Sequence, residues 1–390
     1  MNLAGLILKI ASRCNLNCSY CYMYNKGDMS YLSQPKFMSK KTMIQVIDRI
    51  EEYCKSNNLD GFLVIFHGGE PLMAHKDLFE FFVRECSKLQ SVSIDFAIQT
   101  NGILVDDEWC ELFKRLKISV GFSLDGTRES NDAYRVYHSG KGSFMDSLKG
   151  INIYKKHFPD DLSVITVMNI DYDPIEIYDH YKEIGVNMWN ILLPDYTYDT
   201  LPYWLESKKS TIWADKMVQL FDHWLDDKDE SKPMIDIFIT IINLILAREN
   251  AGNDHFGTRE NNTIVIETDG GIEATDPLRA CGDGFTKEGM TIFSNTLEEA
   301  LQTPLSKLYI NSTLCDLCQA CPIVEICGGG YVVHRYSKHS GFNNPSIYCG
   351  NLIRLITHVY NRLLNLEPSL KVHLGPMKYS LFSRPAIGYC

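Results

Sequence analysis

Three cysteines, Cys14, Cys18 and Cys21, fall within the stretch ASRCNLNCSYCYMYN, with three and then two residues between them. At that spacing three sulfurs can converge on one iron centre and leave a fourth coordination position unfilled. A structural zinc site closes its tetrahedron with four protein ligands, and a cluster held by four cysteines has no position for a substrate. Three thiolates in one tight loop point instead to a [4Fe-4S] cluster whose fourth iron binds a small molecule. Asn15 and Asn17 suit the turns of such a loop, and Tyr20 sets an aromatic ring beside the metal.

A second group lies far along the chain. Cys315, Cys318, Cys321 and Cys327 run as C-x2-C-x2-C-x5-C, with Cys281 ahead of them and Cys349 beyond. That spacing alone signals metal. Zinc ribbons use C-x2-C pairs too, and the first triad in the same chain tilts the choice toward iron. Cys54, Cys86 and Cys110 each stand alone in a helical pattern and are read as small buried hydrophobes. The terminal Cys390 has no physical account.

The groups need a frame to hold them. Residues 5–10 (GLILKI) form a largely apolar run that ends just before the cysteine loop, as a buried parallel strand would. Ser39 can cap a helix whose apolar residues Met43, Val46, Ile47 and Ile50 recur at helical spacing, and GFLVIF at 61–66 is again strand-like. The alternation continues with helices at 77–89, 106–116 and 144–156, and strands at 91–98, 118–124 and 162–168. Asp173, Pro174 and Gly185 bracket a further helix, and NMWNILL at 187–193 closes the series. Six strands alternating with helices predict an α/β fold of parallel βαβ units, a partial (β/α)6 TIM-type barrel. In such barrels the working groups sit where strands end and loops begin.

Several short motifs fall at those strand ends. His67-Gly68-Gly69-Glu70-Pro71 follows the second strand, Gln99-Thr100-Asn101-Gly102 the third, and Ser123-Leu124-Asp125-Gly126 the fourth, with Arg135 beyond. Paired glycines admit close approach to the backbone, and a guanidinium grips a carboxylate with two parallel bonds.

Composition narrows the class. The chain of 390 residues exceeds the usual size of a single core, and its 45% hydrophobic and 22% charged content is ordinary for a globular protein. No apolar run approaches bilayer length and the start lacks a signal-peptide pattern, so a cytoplasmic location with no membrane partner is expected. A net charge of -11 argues against nucleic acid. Thirteen cysteines without a signal sequence suggest metal or redox chemistry, not disulfides. The expected division is 1–200 for the barrel, 201–260 for a helical bridge, 261–350 for a cysteine-rich domain and 351–390 for a C-terminal helix and tail. In the bridge, patterns at 210–225 and 233–246 read as helices, with Trp204, Trp213 and Trp224 as core anchors. Residues 263–274 read as a hairpin turning at Asp269-Gly270-Gly271.

The spacing C-x3-C-x2-C, with an aromatic residue before the last cysteine, resembles the radical S-adenosylmethionine (SAM) enzymes. The resemblance implies that SAM chelates the open iron of the Cys14/Cys18/Cys21 cluster. The reduced cluster would cleave its sulfonium to a 5'-deoxyadenosyl radical. It further implies that Gly68, Gly69 and Glu70 lie against the methionine amino group, Ser123 and Arg135 against the ribose and carboxylate end, and Leu192 and Leu193 against the adenine. The later cysteines resemble the SPASM extension of peptide and protein maturases, with Cys318, Cys321, Cys327 and Cys349 matching its outer auxiliary [4Fe-4S] cluster.

The match is incomplete. The family pattern has a further cysteine where this chain has Tyr331, and a cysteine pair near Cys281 that this chain lacks. Only Cys281 and Cys315 remain for a possible second auxiliary cluster, with Asp276, Asp283 and His334 as substitute ligands. SRCNLNCSYCYMYNKGD, LLPDYTYDT and CPIVEICGGGYVVHRY look like the FxsB-like cyclophane-forming maturases. That subgroup joins a side-chain β-carbon of a ribosomal precursor peptide to an aromatic ring two residues upstream. The implied partners are that peptide, its leader held by the catalytic body or a separate protein, and a flavodoxin- or ferredoxin-like electron donor. Asp276 and Asp283 are the candidate bases. Alternatives are an anaerobic sulfatase maturase, a thioether-forming maturase, or a zinc-stabilised binding module without enzyme activity.

Overall fold

The computed structural model describes residues 3–206, 210–249, 251–257, 263–310 and 314–367. Cys390 lies outside them. The chain forms two compact units, Met1–Thr166 with Asn262–Ile310, and Val167–Asn261 with Asn311–Cys390.

The strands are β1 (Gly5–Ala11), β2 (Gly61–Gly68), β3 (Ser93–Thr100), β4 (Ile118–Ser123), β5 (Ser163–Val167), β6 (Met188–Leu192), β7 (Met234–Ile235), β8 (Thr263–Ile266) and β9 (Ile272–Glu273). In the first unit β1 to β5 pair consecutively and in parallel. Helices Lys40–Asn57, Lys76–Cys86, Asp107–Leu116 and Phe144–His157 make the crossovers. The expected α/β class with a parallel sheet is therefore what forms. Local chemistry sets the helix starts: Ser39 Oγ accepts from Thr42 N at 3.0 Å and Asp106 Oδ1 from Trp109 N at 2.8 Å. Phe66 of β2 packs its ring on Phe79, Phe82 and Phe96, with centroids 5.0, 5.6 and 5.9 Å away. Each such buried ring contributes roughly 1.5–3 kcal/mol.

The predicted hairpin at 263–274 forms, as antiparallel β8 and β9 with Gly270 at φ 92°. A second role was not expected: β8 also pairs in parallel with β1, Gly5 opposite Thr263 through Leu8 opposite Ile266. Residues more than 250 positions apart thus share one sheet. This places the acids that follow β8 beside the inward face of β1.

In the second unit Asp173 Oδ1 caps helix Pro174–Glu183 by accepting from Ile175 N at 2.9 Å, and Gly185 ends the turn at φ 73°. Helix Ile212–Asp226 packs against helix Cys349–Leu366, with Asn351 Oδ1 accepting from Ala214 N at 3.0 Å. Trp213 and Trp224 are buried, as expected of anchors; Trp204 is half-buried. The helix expected at 233–246 begins only at Asp236, because Met234 and Ile235 pair with β6. Among the described residues no helix is long and apolar enough to cross a membrane.

Candidate active site

The cysteine loop leaves the end of β1 and is strapped down along both sides. Gly69 N donates to Ala11 O at 2.9 Å and Glu70 N to Arg13 O at 3.0 Å, while Asn17 N reaches Val136 O at 2.7 Å and Ser19 N reaches Tyr134 O at 3.0 Å. The paired glycines have a structural reason. A Cβ on Gly68 would stand 1.9 Å from Ala11 O, and one on Gly69 would stand 2.3 Å from Arg13 O. Any side chain there would push the cysteine loop off the sheet.

Within the loop Cys21 N donates to Cys18 O at 3.0 Å, Asn25 Nδ2 bridges Asn17 Oδ1 and Cys18 O at 2.8 Å each, and Leu16 N points at Cys14 Sγ at 3.4 Å. Burial pushes all three thiols up, Cys21 to about 11, and each of Cys14 and Cys21 is raised further by its cysteine neighbours. Three half-buried thiols whose ionised forms are disfavoured in this loop would need a cation among them to ionise together.

Side chains from successive strand ends close around this loop. Glu70 is buried and accepts from Thr100 Oγ1 at 2.7 Å, Asn101 N at 2.8 Å and Leu72 N at 3.0 Å, so one carboxylate ties the loops after β2 and β3 together. Burial pushes its acid strength down. Replacing Glu70 by alanine strands these donors, at about 1–3 kcal/mol for each left unsatisfied. A urea-denaturation series should show a clear fall in stability, with Glu70→Gln milder. Asn101 Nδ2 donates to Asn15 Oδ1 at 2.8 Å. Ser123 Oγ accepts from Gln99 Nε2 at 2.8 Å.

Tyr20 donates to Asp125 Oδ2 at 2.5 Å and accepts from Arg135 Nη1 at 2.8 Å. Burial holds the phenol well above its ordinary range, so it keeps its proton. Arg135 is itself buried and its Nε has no hydrogen-bond partner among the described residues. A buried guanidinium with an open donor suits a carboxylate ligand.

Beside the loop lies an ionic cluster that periodicity did not reveal. Lys9, fully buried in β1, contacts Asp276, sits 2.9 Å from Glu267 Oε1 and points at Met23 Sδ at 2.9 Å. Arg279, equally buried, pairs with Asp28, with Glu273 and, at 2.7 Å, with Glu267. Four carboxylates surround two cations, and burial pushes Glu273 up to about 7. The signals were a lysine inside an apolar strand and the acids flanking Arg279; a buried charge of this kind demands partners. Asp276 thus sits in this cluster, whereas Asp283 is exposed and accepts from Met29 N at 2.7 Å. Cys281 is buried in the same unit.

The second unit gathers the other cysteines. Cys318 feels Cys315 and Cys349, Cys327 feels Cys318 and Cys321, and Cys349 feels Cys327, Cys321 and Cys315. Burial pushes Cys327 and Cys349 up to about 12. Gly328, Gly329 and Gly330 all have positive φ, 63°, 80° and 69°, folding the chain back so that Gly330 N donates to Cys327 O at 3.0 Å and the Gly329 and Gly330 amides near the Cys327 thiol oppose the upward push of its burial. Such a nest of N–H groups stabilises a metal-bound sulfur. Tyr331, at the position of the absent cysteine, is stacked on His255 with centroids 4.1 Å apart, and His334 packs on Tyr348 and lies 3.6 Å from Asp195 Oδ1. Leu192 O accepts from Met168 N at 3.0 Å, and Leu193 is buried in this unit.

Both thiol sets fit iron–sulfur clusters better than single ions. A zinc tetrahedron with bonds of about 2.3 Å brings its sulfurs to roughly 4 Å of one another. Among the described residues, the one triple of thiol, imidazole or carboxylate groups with donors all within 4.8 Å is Glu267, Glu273 and Asp276. Lys9 and Arg279 already pair with all three members of that triple.

Comparison with known proteins agrees with this geometry. Residues 8–184 match the Radical SAM superfamily. The chain is 28% identical over 385 residues to a serine-type anaerobic sulfatase-maturating enzyme of Bacteroides thetaiotaomicron, covering 91% of this chain and 88% of that protein. Its fold resembles native anSMEcpe with bound AdoMet and Kp18Cys peptide (TM-score 0.78, 22% identity, 94% of this chain and 99% of that one). It also resembles Streptococcus suis SuiB bound to precursor peptide SuiA (TM-score 0.56, 16% identity, 89% and 76%). With the thiol triad at the end of β1 and this match through the parallel strands, the chain carries a Radical SAM domain over residues 8–184 and is an enzyme.

Proposed function

We propose that this enzyme modifies a side chain of a ribosomally made peptide, joining a β-carbon to an aromatic ring with loss of two hydrogens. The carrying observation is the second thiol set: Cys318, Cys321, Cys327 and Cys349 are gathered around a glycine nest, while Tyr331 is stacked on His255 where the maturase pattern has a cysteine. When bound, a cluster on Cys14, Cys18 and Cys21 supplies the electron that cleaves SAM, and one on the second set offers a place for the electron released on rearomatisation.

The chain's own residues bind and orient. Arg135, steadied by Tyr20, would offer its open Nε to the SAM carboxylate, Glu70, beside Gly68 and Gly69, would take the amino group, and Ser123 would take the ribose. Asp276, held ionised by Lys9 and Arg279, is the better placed base; Asp283 is engaged at the surface. Asp276→Asn should then lower peptide product by roughly 10²–10⁴-fold while 5'-deoxyadenosine still forms, and Asp283→Asn should change neither. A flavodoxin- or ferredoxin-like donor supplies the electron.

The sulfatase-maturating relatives, aligned over nine-tenths of the chain, support a second reading, oxidation of a peptide Cys or Ser to an aldehyde. Mass spectrometry separates the two. Incubated with SAM, dithionite and aromatic-containing precursor peptides, the enzyme should yield a product two hydrogens lighter that does not react with an aldehyde probe. A product trapped by the probe on a Cys or Ser peptide would establish the second reading instead.

A further inference from the structure

Phe66 turns its ring to the helix side of the sheet, onto Phe79 and Phe82, so the next residue of β2, His67, points to the opposite, inward face. In parallel register it lies across from Lys9 of β1. Gln99 of β3 and Ser123 of β4 share that face, and Gln99 lies over Gly121, where a Cβ would stand 2.4 Å from its Oε1. A polar row thus crosses four strands, and one member differs from the others. Lys9 is held by Glu267 and Asp276, and Gln99 Nε2 donates to Ser123 Oγ at 2.8 Å. His67 Nδ1 is buried and has no hydrogen-bond partner among the described residues. A buried polar atom left unpaired is costly, which directs the search for its partner to a ligand.

The surroundings of the ring narrow the ligand. Asp276, Glu267 and Lys9 lie within electrostatic reach of it, acids and a cation already paired, so an ion has no free counter-charge to meet there. Burial lowers the pKa of the imidazole, and the neutral ring carries one N–H and one lone pair, which suits a neutral amide. On the reading given above, the polar groups of SAM go to Glu70, Arg135 and Ser123, which leaves the peptide. Toward the start of the strands the same face is half-buried and apolar, with Ile65 opposite Ala97, a bed for an apolar side chain. We propose that His67 binds the peptide substrate, its Nδ1 forming a hydrogen bond with the main-chain amide beside the carbon that loses hydrogen. That amide flanks the β-carbon whether the product is a crosslink or an aldehyde, and it brings the carbon to the side of the site where Asp276 lies.

This inference rests on the peptide-modifying reading, and the experiment keeps the two apart. The ligand measured is a fluorescein-labelled copy of whichever aromatic-containing, Cys or Ser peptide the wild-type enzyme turns over. Its affinity for the reconstituted full-length enzyme is read by fluorescence anisotropy with SAM present. His67→Leu, close in volume but without polar side-chain atoms, should weaken binding about tenfold and raise KM to match. His67→Asn, whose side-chain amide reaches the Nδ1 position, should recover most of that loss. In urea the peptide-free His67→Leu enzyme should be at least as stable as wild type, because an unpaired buried polar atom has been removed. Equal affinity in wild type and His67→Leu, a loss that neither His67→Asn nor His67→Gln recovers, or a lowered urea midpoint in His67→Leu overturns the inference. Turnover of no peptide by the wild-type enzyme overturns the reading itself, and the role of His67 with it.

Discussion

Changing Cys18 to alanine is expected to reduce 5'-deoxyadenosine formation from SAM to the level of cluster-free protein. Cys18 is the middle ligand of the triad, and the loop around it is over-determined. Its carbonyl accepts from Cys21 N and Asn25 Nδ2, and the flanking Asn17 and Ser19 amides are pinned to Val136 and Tyr134. Alanine keeps every one of these backbone bonds, so the loop should hold its shape while one of three sulfurs is lost. Two cysteines cannot retain a cubane against solvent and still leave one iron open. The measurement is product by liquid chromatography after anaerobic reconstitution and dithionite reduction, with iron content beside it. Full-rate formation in the variant would remove the basis for placing the radical chemistry at this loop. A variant at Cys54, buried in helix Lys40–Asn57, is the control and should leave the rate unchanged.

Arg279→Met is expected to be the most damaging substitution in the first unit that touches no proposed ligand. Arg279 is 1% exposed and meets Asp28, Glu267 and Glu273 at once. Removing one side of a buried ion pair leaves uncompensated charge and costs about 3–5 kcal/mol. Equilibrium urea denaturation reads this directly. The pH dependence carries the mechanism. Glu273 holds its proton to about 7 in the folded chain, above its ordinary 4.5, chiefly because burial disfavours its charge. The native state therefore binds more protons than the unfolded one between those values. Stability from this group falls as pH rises from about 4.5 to about 7, by of order 3 kcal/mol. Glu273→Gln should flatten that slope, and combined with Arg279→Met it should recover part of the loss at neutral pH. A wild-type slope of the opposite sign would show that Glu273 is ionised in the native cluster.

How much of this was legible in the chain depends on how local each signal is. Helix caps at Ser39 and Asp173 and the turn at Gly270 act over a few residues, and they stand where the pattern placed them. Alternating helical and apolar segments gave the parallel sheet, because a right-handed crossover from strand to helix to strand has few alternatives. Lys9 was different. As a residue it is one charge in an apolar run, and its partners Glu267 and Asp276 are remote in sequence. The same holds for Gly328, Gly329 and Gly330: three glycines in a row announce an unusual backbone, but not that the turn closes with Gly330 N on Cys327 O.

Two kinds of information were thus in play. Residue types and spacings alone pointed to radical SAM chemistry, because ligand identity and the count of thiols in a loop are properties of a short segment. Neighbours were decided only in three dimensions: β8 beside β1, the acids around Lys9 and Arg279, and Arg135 on Tyr20. Contacts of that sort depend on which strands pair and which turns close, and a linear pattern of polar and apolar residues does not encode the partner of a buried charge, only that it must have one.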